Sequence, residues 1–294
     1  MRESWGDKTF NIVNYILLTI GGLLCLLPLM HIIAISLSDS FTAMSGVVGI
    51  WPQHVSFQAY KLLFTGTNMA GALWNSIIIT VVGVTSSMIF TIMAAYPLSR
   101  KIFYARRFFT LAIVFTMLFG GGAGGIIPTY LVVKSLGLVN TYGALWLPSL
   151  VIVFNLLILR TFFVNISEEL VEAAKIDGCS EGGILLRVML PLSTAVLATL
   201  ALFYGVHNWN YFLQVLIYIN DADKYNLTVL VQNMIQSATM MNELQTLLPE
   251  ETRNMTPVTI RSAGIVVLLL PMVMVYPFIQ RFFVKGVMLG AVKG

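Results

Sequence analysis

Six stretches of this 294-residue chain are apolar for long enough to read as helices crossing a hydrocarbon core, a distance of roughly 30 Å that needs about 20 helical residues. They cover 12–36, 73–96, 108–133, 142–164, 192–219 and 258–283. None alternates over roughly ten residues as barrel strands do, and only helices or closed barrels satisfy their backbone in lipid. The pattern predicts an all-α integral membrane protein with six transmembrane helices in one domain (1–294), joined externally by long polar connections at 37–72 and 220–257. No fixed-period repeat or low-complexity linker interrupts it.

One polar segment stands apart. Arg160, Glu168, Glu169, Glu172, Lys175, Asp177, Glu181 and Arg187 place eight of the thirty charged residues in a single connection. Ser167 has the chemistry of an N-cap, with Glu168 and Glu169 in the first turn where the helix dipole favours acids. Leu170, Ala173 and Ala174 recur at helical spacing as a small apolar face. Asp177-Gly178 then ends the helix, because glycine takes the positive φ of a C-terminal cap. A second helix can begin after Ser180 and run to Leu190-Pro191 at the mouth of the fifth span. The segment 167–191 therefore reads as a helical hairpin too short and polar to span. Its face is alanine-rich and mostly acidic, which suits docking into a protein groove better than lying on lipid.

Composition supports the membrane reading: 57 % of residues are hydrophobic and 10 % charged, and mean hydropathy is +0.85. Charge adds orientation. Arg2 and Lys8 precede the first span, Arg100, Lys101, Arg106 and Arg107 crowd the second connection, Arg160, Lys175 and Arg187 mark the fourth, and Arg281, Lys285 and Lys293 close the chain. Twelve of seventeen basic residues thus share one side, so both termini are expected in the cytoplasm of a cell whose inner membrane the chain crosses. The first run is too long for a signal-peptide core and lacks a small-residue cleavage pattern, so it reads as a retained anchor. Cys25 lies in a span and Cys179 in the hairpin, which argues against a disulfide. The basic residues are not interleaved with aromatics on one face, so nucleic acid is not an expected partner.

Other chemistries fall away on similar grounds. No Asp or Glu occurs between 40 and 167 or in the fifth and sixth spans, which disfavours an ion-coupled secondary transporter, whose relay needs ionisable groups in the membrane. His31 and His207 have no Cys, Asp or Glu at ligand spacing, so they read as structural or path-lining and no metal site is expected. The run 120–125, Gly-Gly-Gly-Ala-Gly-Gly, is not a phosphate loop, since no Lys-Ser or Lys-Thr follows it. It reads as a broken or closely packed helix with Pro128 fixing the bend, and more sharply as a flexible gate element.

The hairpin resembles the EAA loop of permease subunits of type I ATP-binding-cassette importers: Glu-Ala-Ala, three residues, Gly, nine residues, Ile, any residue, Leu-Pro. Glu172, Ala173, Ala174, Gly178, Leu190 and Pro191 match at that spacing, with Val188 in place of Ile. Six spans, the segments 127–131, 136–138 and 208–212, and both ends are similar to the maltose-type carbohydrate permeases. The ending 283–294 is similar to the lipoprotein-named permease group, found beside binding proteins for oligosaccharides.

The resemblance implies a non-enzymatic transport subunit that forms a translocation path for an oligosaccharide, with uronate oligomers from polysaccharides among the candidates. It implies a second related permease, two ATPase subunits that carry the ATP and Mg, an extracytoplasmic solute-binding protein, and no cofactor in this chain. Glu172, Ala173, Ala174, Asp177, Gly178, Leu190 and Pro191 become the residues coupling to the ATPase. The end of the chain from Lys285 is expected near the ATPase interface, and the loop 236–257 near the binding protein. Asn208, Trp209, Asn210 and Tyr211, with Tyr130 and Trp146, are candidate path residues, because amides and flat aromatic faces suit hydroxyl-rich rings. A permease for a non-sugar solute, and a receptor that only recruits an ATPase, stand as alternatives.

Overall fold

The computed structural model describes residues 5–118, 125–245 and 257–291, with side chains over 5–118, 125–237 and 258–277. Among these residues the regular elements are helical, apart from an isolated antiparallel bridge between Ser38 and Val55. The chain divides into two compact units, 1–69 with 231–270 and 70–230 with 271–294.

The first unit opens with α1 (Trp5–Ser36), α2 (Ser40–Met44) and α3 (Gln58–Gly66). Along α1 large apolar side chains such as Phe10, Leu17 and Leu24 stay exposed, an arrangement that suits hydrocarbon and not water. At its end the backbone is freed from the helix and side chains take over. Ser36 Oγ lies 2.8 Å from Tyr60 Oη of α3, and the Asp39 carboxylate accepts from the Phe41 N–H to cap α2. His31 Nδ1 is 2.8 Å from the Gly49 carbonyl, which gives that imidazole a structural partner.

The second unit begins with α4 (Met69–Ser99) and α5 (Arg106–Leu118), then α6 (Ile126–Ser135). The expected third span thus consists of two helices flanking 119–124, so most of the glycine run lies outside the described residues. Gly125 itself has φ +96 and opens α6, and Pro128 falls in the first turn, where its missing N–H has no intrahelical partner to lose.

The fourth span is α7 (Gly143–Trp146), a 3-10 turn over Leu147–Ser149, and α8 (Val153–Val164), with a 49° bend between the halves. Pro148 lies at the start of the 3-10 turn, and the break follows that turn, where Ile152 takes an extended backbone (φ -79, ψ 119) ahead of α8. Then follow α9 (Glu168–Ile176), α10 (Glu181–Ile184), a π-helical turn over Leu185–Met189 and α11 (Leu190–Leu192). The chain turns by 84° into α12 (Thr194–Trp209).

The apolar run 192–219 is not one helix, because α12 stops at Trp209 and α13 (Leu213–Tyr218) begins afresh. Hydropathy does not register this break, because the freed carbonyls find donors far along the chain. Thr228 Oγ1 donates to the Trp209 carbonyl and Asn226 Nδ2 to that of Tyr211. The last helices, α14 (Leu227–Gln245) and α15 (Pro257–Ala291), run across the boundary between the units.

Two cores fill the second unit. One joins Ala95 and Leu98 of α4, Leu159 and Phe163 of α8, Val171 and Ala174 of α9, Ile184, Met189 and Leu200. The other joins Ile79 of α4 with Val133, Leu145, Tyr211, Val215, Tyr218 and Val229. Between them α4 and α12 approach closely, since a Cβ on Gly83 would stand 2.8 Å from the Asn208 side chain.

Candidate functional site

The hairpin is built almost entirely from neighbours in sequence. Ser167 occupies the N-cap of α9 without a side-chain capping bond, so Glu168 and Glu169 are the favourable groups in the first turn. At the other end Cys179 N–H donates to the Ala174 carbonyl and Gly178 N–H to that of Lys175, at 2.9 and 3.0 Å. These two bonds form a Schellman motif, and Gly178 supplies its left-handed residue with φ +79. Ser180 Oγ accepts from the Gly183 N–H and starts the second arm. The widened π turn before Pro191 accommodates a residue that has no N–H to donate.

Burial sorts the hairpin's faces differently from the spacing. Val171 and Ala174 pack inward, whereas Leu170 is 49 % and Ile176 86 % exposed. The apolar face expected from Leu170, Ala173 and Ala174 is therefore split: Ala174 enters the core with Val171, while Leu170 and Ala173 face outward beside Glu172. Among the described residues the Glu172 side chain has no hydrogen-bond or ion-pair partner, and space beyond the Gly178 Cα is open.

Charged groups clamp this hairpin to the end of α4. Glu181 accepts from the Tyr96 phenol at 2.5 Å and pairs with Lys175 of the other arm at 2.9 Å. The Tyr96 hydrogen bond, and then that of Lys175, hold the Glu181 carboxyl below its ordinary range. Lys101 does the same for Glu168 through a 2.5 Å contact. Arg160 Nε donates to the Leu98 carbonyl at 3.1 Å.

Near the second core lies a cavity of about 490 Å³, walled by α6, the α7 segment, the end of α12 and α13. Its polar wall includes Thr129, Ser149, His207, Tyr211, Gln214 and Tyr218, with no charged side chain among the lining residues. Tyr211 Oη lies 2.5 Å from Ser149 Oγ, and the His207 ring meets the Tyr211 ring edge-on at 5.1 Å. Thr129 Oγ1 is occupied by the Gly125 carbonyl, whereas Gln214 and the His207 ring nitrogens have no hydrogen-bond partner among the described residues. The site thus offers aromatic faces and free neutral hydrogen-bonding groups, a combination that orients polyhydroxylated rings.

Of the expected path residues, the structure brings Tyr211 to this wall. Tyr130 stands behind it, stacked on Tyr218 at 6.2 Å and 11°. Asn208 is buried against Gly83 with Nδ2 on the Tyr204 carbonyl, and Trp209 is buried beside it. Asn210 is exposed and bonds back to the Val206 carbonyl. Trp146 donates to the Ile79 carbonyl. Sequence reasoning gave His207 as structural or path-lining and missed Gln214, Thr129 and Ser149. A signal existed for Gln214: His207, Tyr211, Gln214 and Tyr218 recur at spacings of four, three and four, the period of one helical face. The segment 246–256 lies outside the described residues, as do the side chains of 278–294.

An apolar chain, helical over its described residues, with a polar hairpin and a neutral cavity toward opposite ends of α4 has the features of a membrane transport subunit. The chain belongs to the binding-protein-dependent transport system inner membrane component family, whose pattern matches residues 101–289. It is similar to the LplC protein of Bacillus subtilis (40 % identity; 100 % of this chain, 98 % of that one). It is equally similar to the polygalacturonan/rhamnogalacturonan transport system permease protein YtcP of the same organism (40 %; 98 % and 99 %). Among solved structures it resembles a chain of a bacterial ABC transporter involved in the import of the acidic polysaccharide alginate, with TM-score 0.84, 30 % identity and coverage of 96 % and 99 %. The protein is accordingly a transport component and not an enzyme.

Proposed function

We propose that this chain is one of two related permeases in an ATP-driven importer for oligosaccharides of acidic polysaccharides, with its hairpin docked on ATPase subunits. The observation that carries this reading is the outward face of the hairpin. Leu170, Glu172, Ala173 and Ile176 face outward from a hairpin that the core and two side-chain clamps, Tyr96–Glu181 and Lys101–Glu168, hold in place. A rigid element with an unpaired acid and exposed apolar groups transmits a partner's rigid-body motion. Relatives that carry polygalacturonan or alginate in their descriptions support the cargo class.

In this reading six spans cross the inner membrane with both termini in the cytoplasm, and a solute-binding protein delivers the sugar from outside. The cavity forms this chain's share of the path. Because no charged side chain lines it, it recognises ring faces and hydroxyls, and selection for uronate carboxylates belongs to the binding protein or the partner permease. The chain supplies no nucleotide chemistry, and ATP and Mg reside on the ATPases. The test is reconstitution of the complex in liposomes with ATP inside. Uptake of tri- to pentasaccharide uronates that requires both ATP and the binding protein is expected. ATP-independent uptake, or ATP hydrolysis with no flux of acidic or neutral oligosaccharides, overturns the assignment.

A further inference from the structure

The break in the fourth span at 149–152 lies between the cavity wall and α8, the rod that leads directly into the hairpin. A break in a membrane span strands backbone groups where no water can satisfy them. Here they are met by side chains from two other helices. The Ile152 N–H donates to the Tyr204 phenol oxygen at 3.1 Å, and that phenol lies 2.6 Å from Thr91 Oγ1. On the other side of the break Ser87 Oγ donates to the Ser149 carbonyl at 3.4 Å, and Ser149 Oγ meets Tyr211 Oη.

Ser87 and Thr91 stand four apart on α4 and so present one face, while Tyr204 comes from α12 and Tyr211 from the break just past its end. Tyr204 and Thr91 are both fully buried. The two phenols differ in what can reach them. Tyr211 and Ser149 line the cavity and Tyr204 does not. A sugar hydroxyl in the cavity can replace one partner of the Ser149–Tyr211 bond without leaving an unpaired group, while the Tyr204 bonds stay sealed. One turn beyond the break, Asn155 is buried with its Nδ2 unpaired among the described residues.

We propose that Tyr204, supported by Thr91, is a positioning residue for transport. Its phenol fixes the angle at 149–152 between the cavity wall and α8, so that sugar in the cavity and motion at the hairpin act on one another through a single defined bend. This inference rests on the reading that the hairpin docks on an ATPase.

The test uses the complete complex in liposomes with its binding protein, comparing wild type, Tyr204→Phe and Thr91→Val. Each variant keeps the shape of the side chain and removes the hydroxyl. The measured quantity is sugar taken up per ATP hydrolysed, which a residue of purely structural importance would not change in the complex that does assemble. Tyr204→Phe is expected to lower it about five-fold, within the range that single substitutions remote from either ligand produce. Thr91→Val is expected to lower it about two-fold by the same route.

Ratios within experimental error of wild type for both variants overturn the proposal. If Tyr204→Phe does not assemble, Thr91→Val decides alone, and an unchanged ratio overturns it. Should the wild-type complex transport no sugar, the docking reading fails separately. The bend is then measured by the distance between spin labels at the exposed positions Thr141 and Val164. One narrow distribution in wild type that broadens in Tyr204→Phe supports the proposal, and identical distributions sink it.

Discussion

The hairpin and the cavity lie toward opposite ends of α4 and α12, and they are assembled on different principles. The hairpin takes its shape from residues 167–192, through a Schellman cap, a serine cap and a π turn, and it needs α4 only as an anchor. The cavity takes its wall from four segments spread between Gly125 and Tyr218, none of which forms a concave surface alone. A protruding polar element can therefore be carried by a short contiguous motif, whereas a concave surface depends on how several spans break and bend.

The largest expected effect comes from Gly178→Trp. Backbone strain in the left-handed region costs about 1–2 kcal/mol, but the new side chain projects into the open space that the docked partner would fill. Uptake in the reconstituted complex should fall by about a hundred-fold or more, on the scale of losses from misplacing a coupled element. Normal assembly and uptake would remove the hairpin from the coupling role. At the junction between the two regions, Gly83→Ala forces a methyl group toward Asn208 and should destabilise the fold by about 1–3 kcal/mol, read as a lower unfolding temperature in detergent. An unchanged transition would show that α4 and α12 separate there without cost.

At the cavity, Gln214→Ala should raise KM for sugar about ten-fold while capture of the ATPase subunits stays at the wild-type level. That corresponds to about 1.4 kcal/mol, the value of one hydrogen bond to ligand. An equal loss of ATPase capture would dissolve the distinction between the regions. Glu172→Ala acts at the hairpin and should leave stability within about 0.5 kcal/mol, since the side chain is exposed and unpaired. It should still weaken ATPase capture several-fold, and unaltered capture would assign the contact to Leu170 and Ile176 alone.

The smallest effect is a pH dependence confined to the hairpin. The folded-state pKa values of Glu181 and Glu168 lie below ordinary, so their clamps contribute above the ordinary carboxylate range and are lost as pH falls through the lowered values. Amide protection factors over α9 to α11, taken against the intrinsic exchange rate at each pH, should fall in acid and lose most of that dependence in Glu181→Gln, while those of α12 and α13 remain unaffected.

Several elements were legible in advance because their causes are local. Apolar runs required helices, and Gly178 required an αL cap that only a residue without Cβ adopts freely. The start of the hairpin's second arm after Ser180 followed from side-chain chemistry acting three residues away. Other features were hidden for equally physical reasons. The four consecutive residues 208–211 could not share a helical face, because each step turns by about 100°, and Asn208 was claimed by the groove at Gly83. The sorting of Leu170 from Val171 depended on where α4 and α8 lay. The break after Trp209 depended on Thr228 and Asn226, which no local pattern connects to it.

The sequence by itself determined the class of protein, its helical content and the capped hairpin, because hydrophobicity, capping and glycine conformation act within a few residues. Only the tertiary structure decided which polar groups line the cavity, where the fourth and fifth spans break and which phenols hold the break. Those features exist when groups distant in the chain satisfy one another's hydrogen bonds away from water.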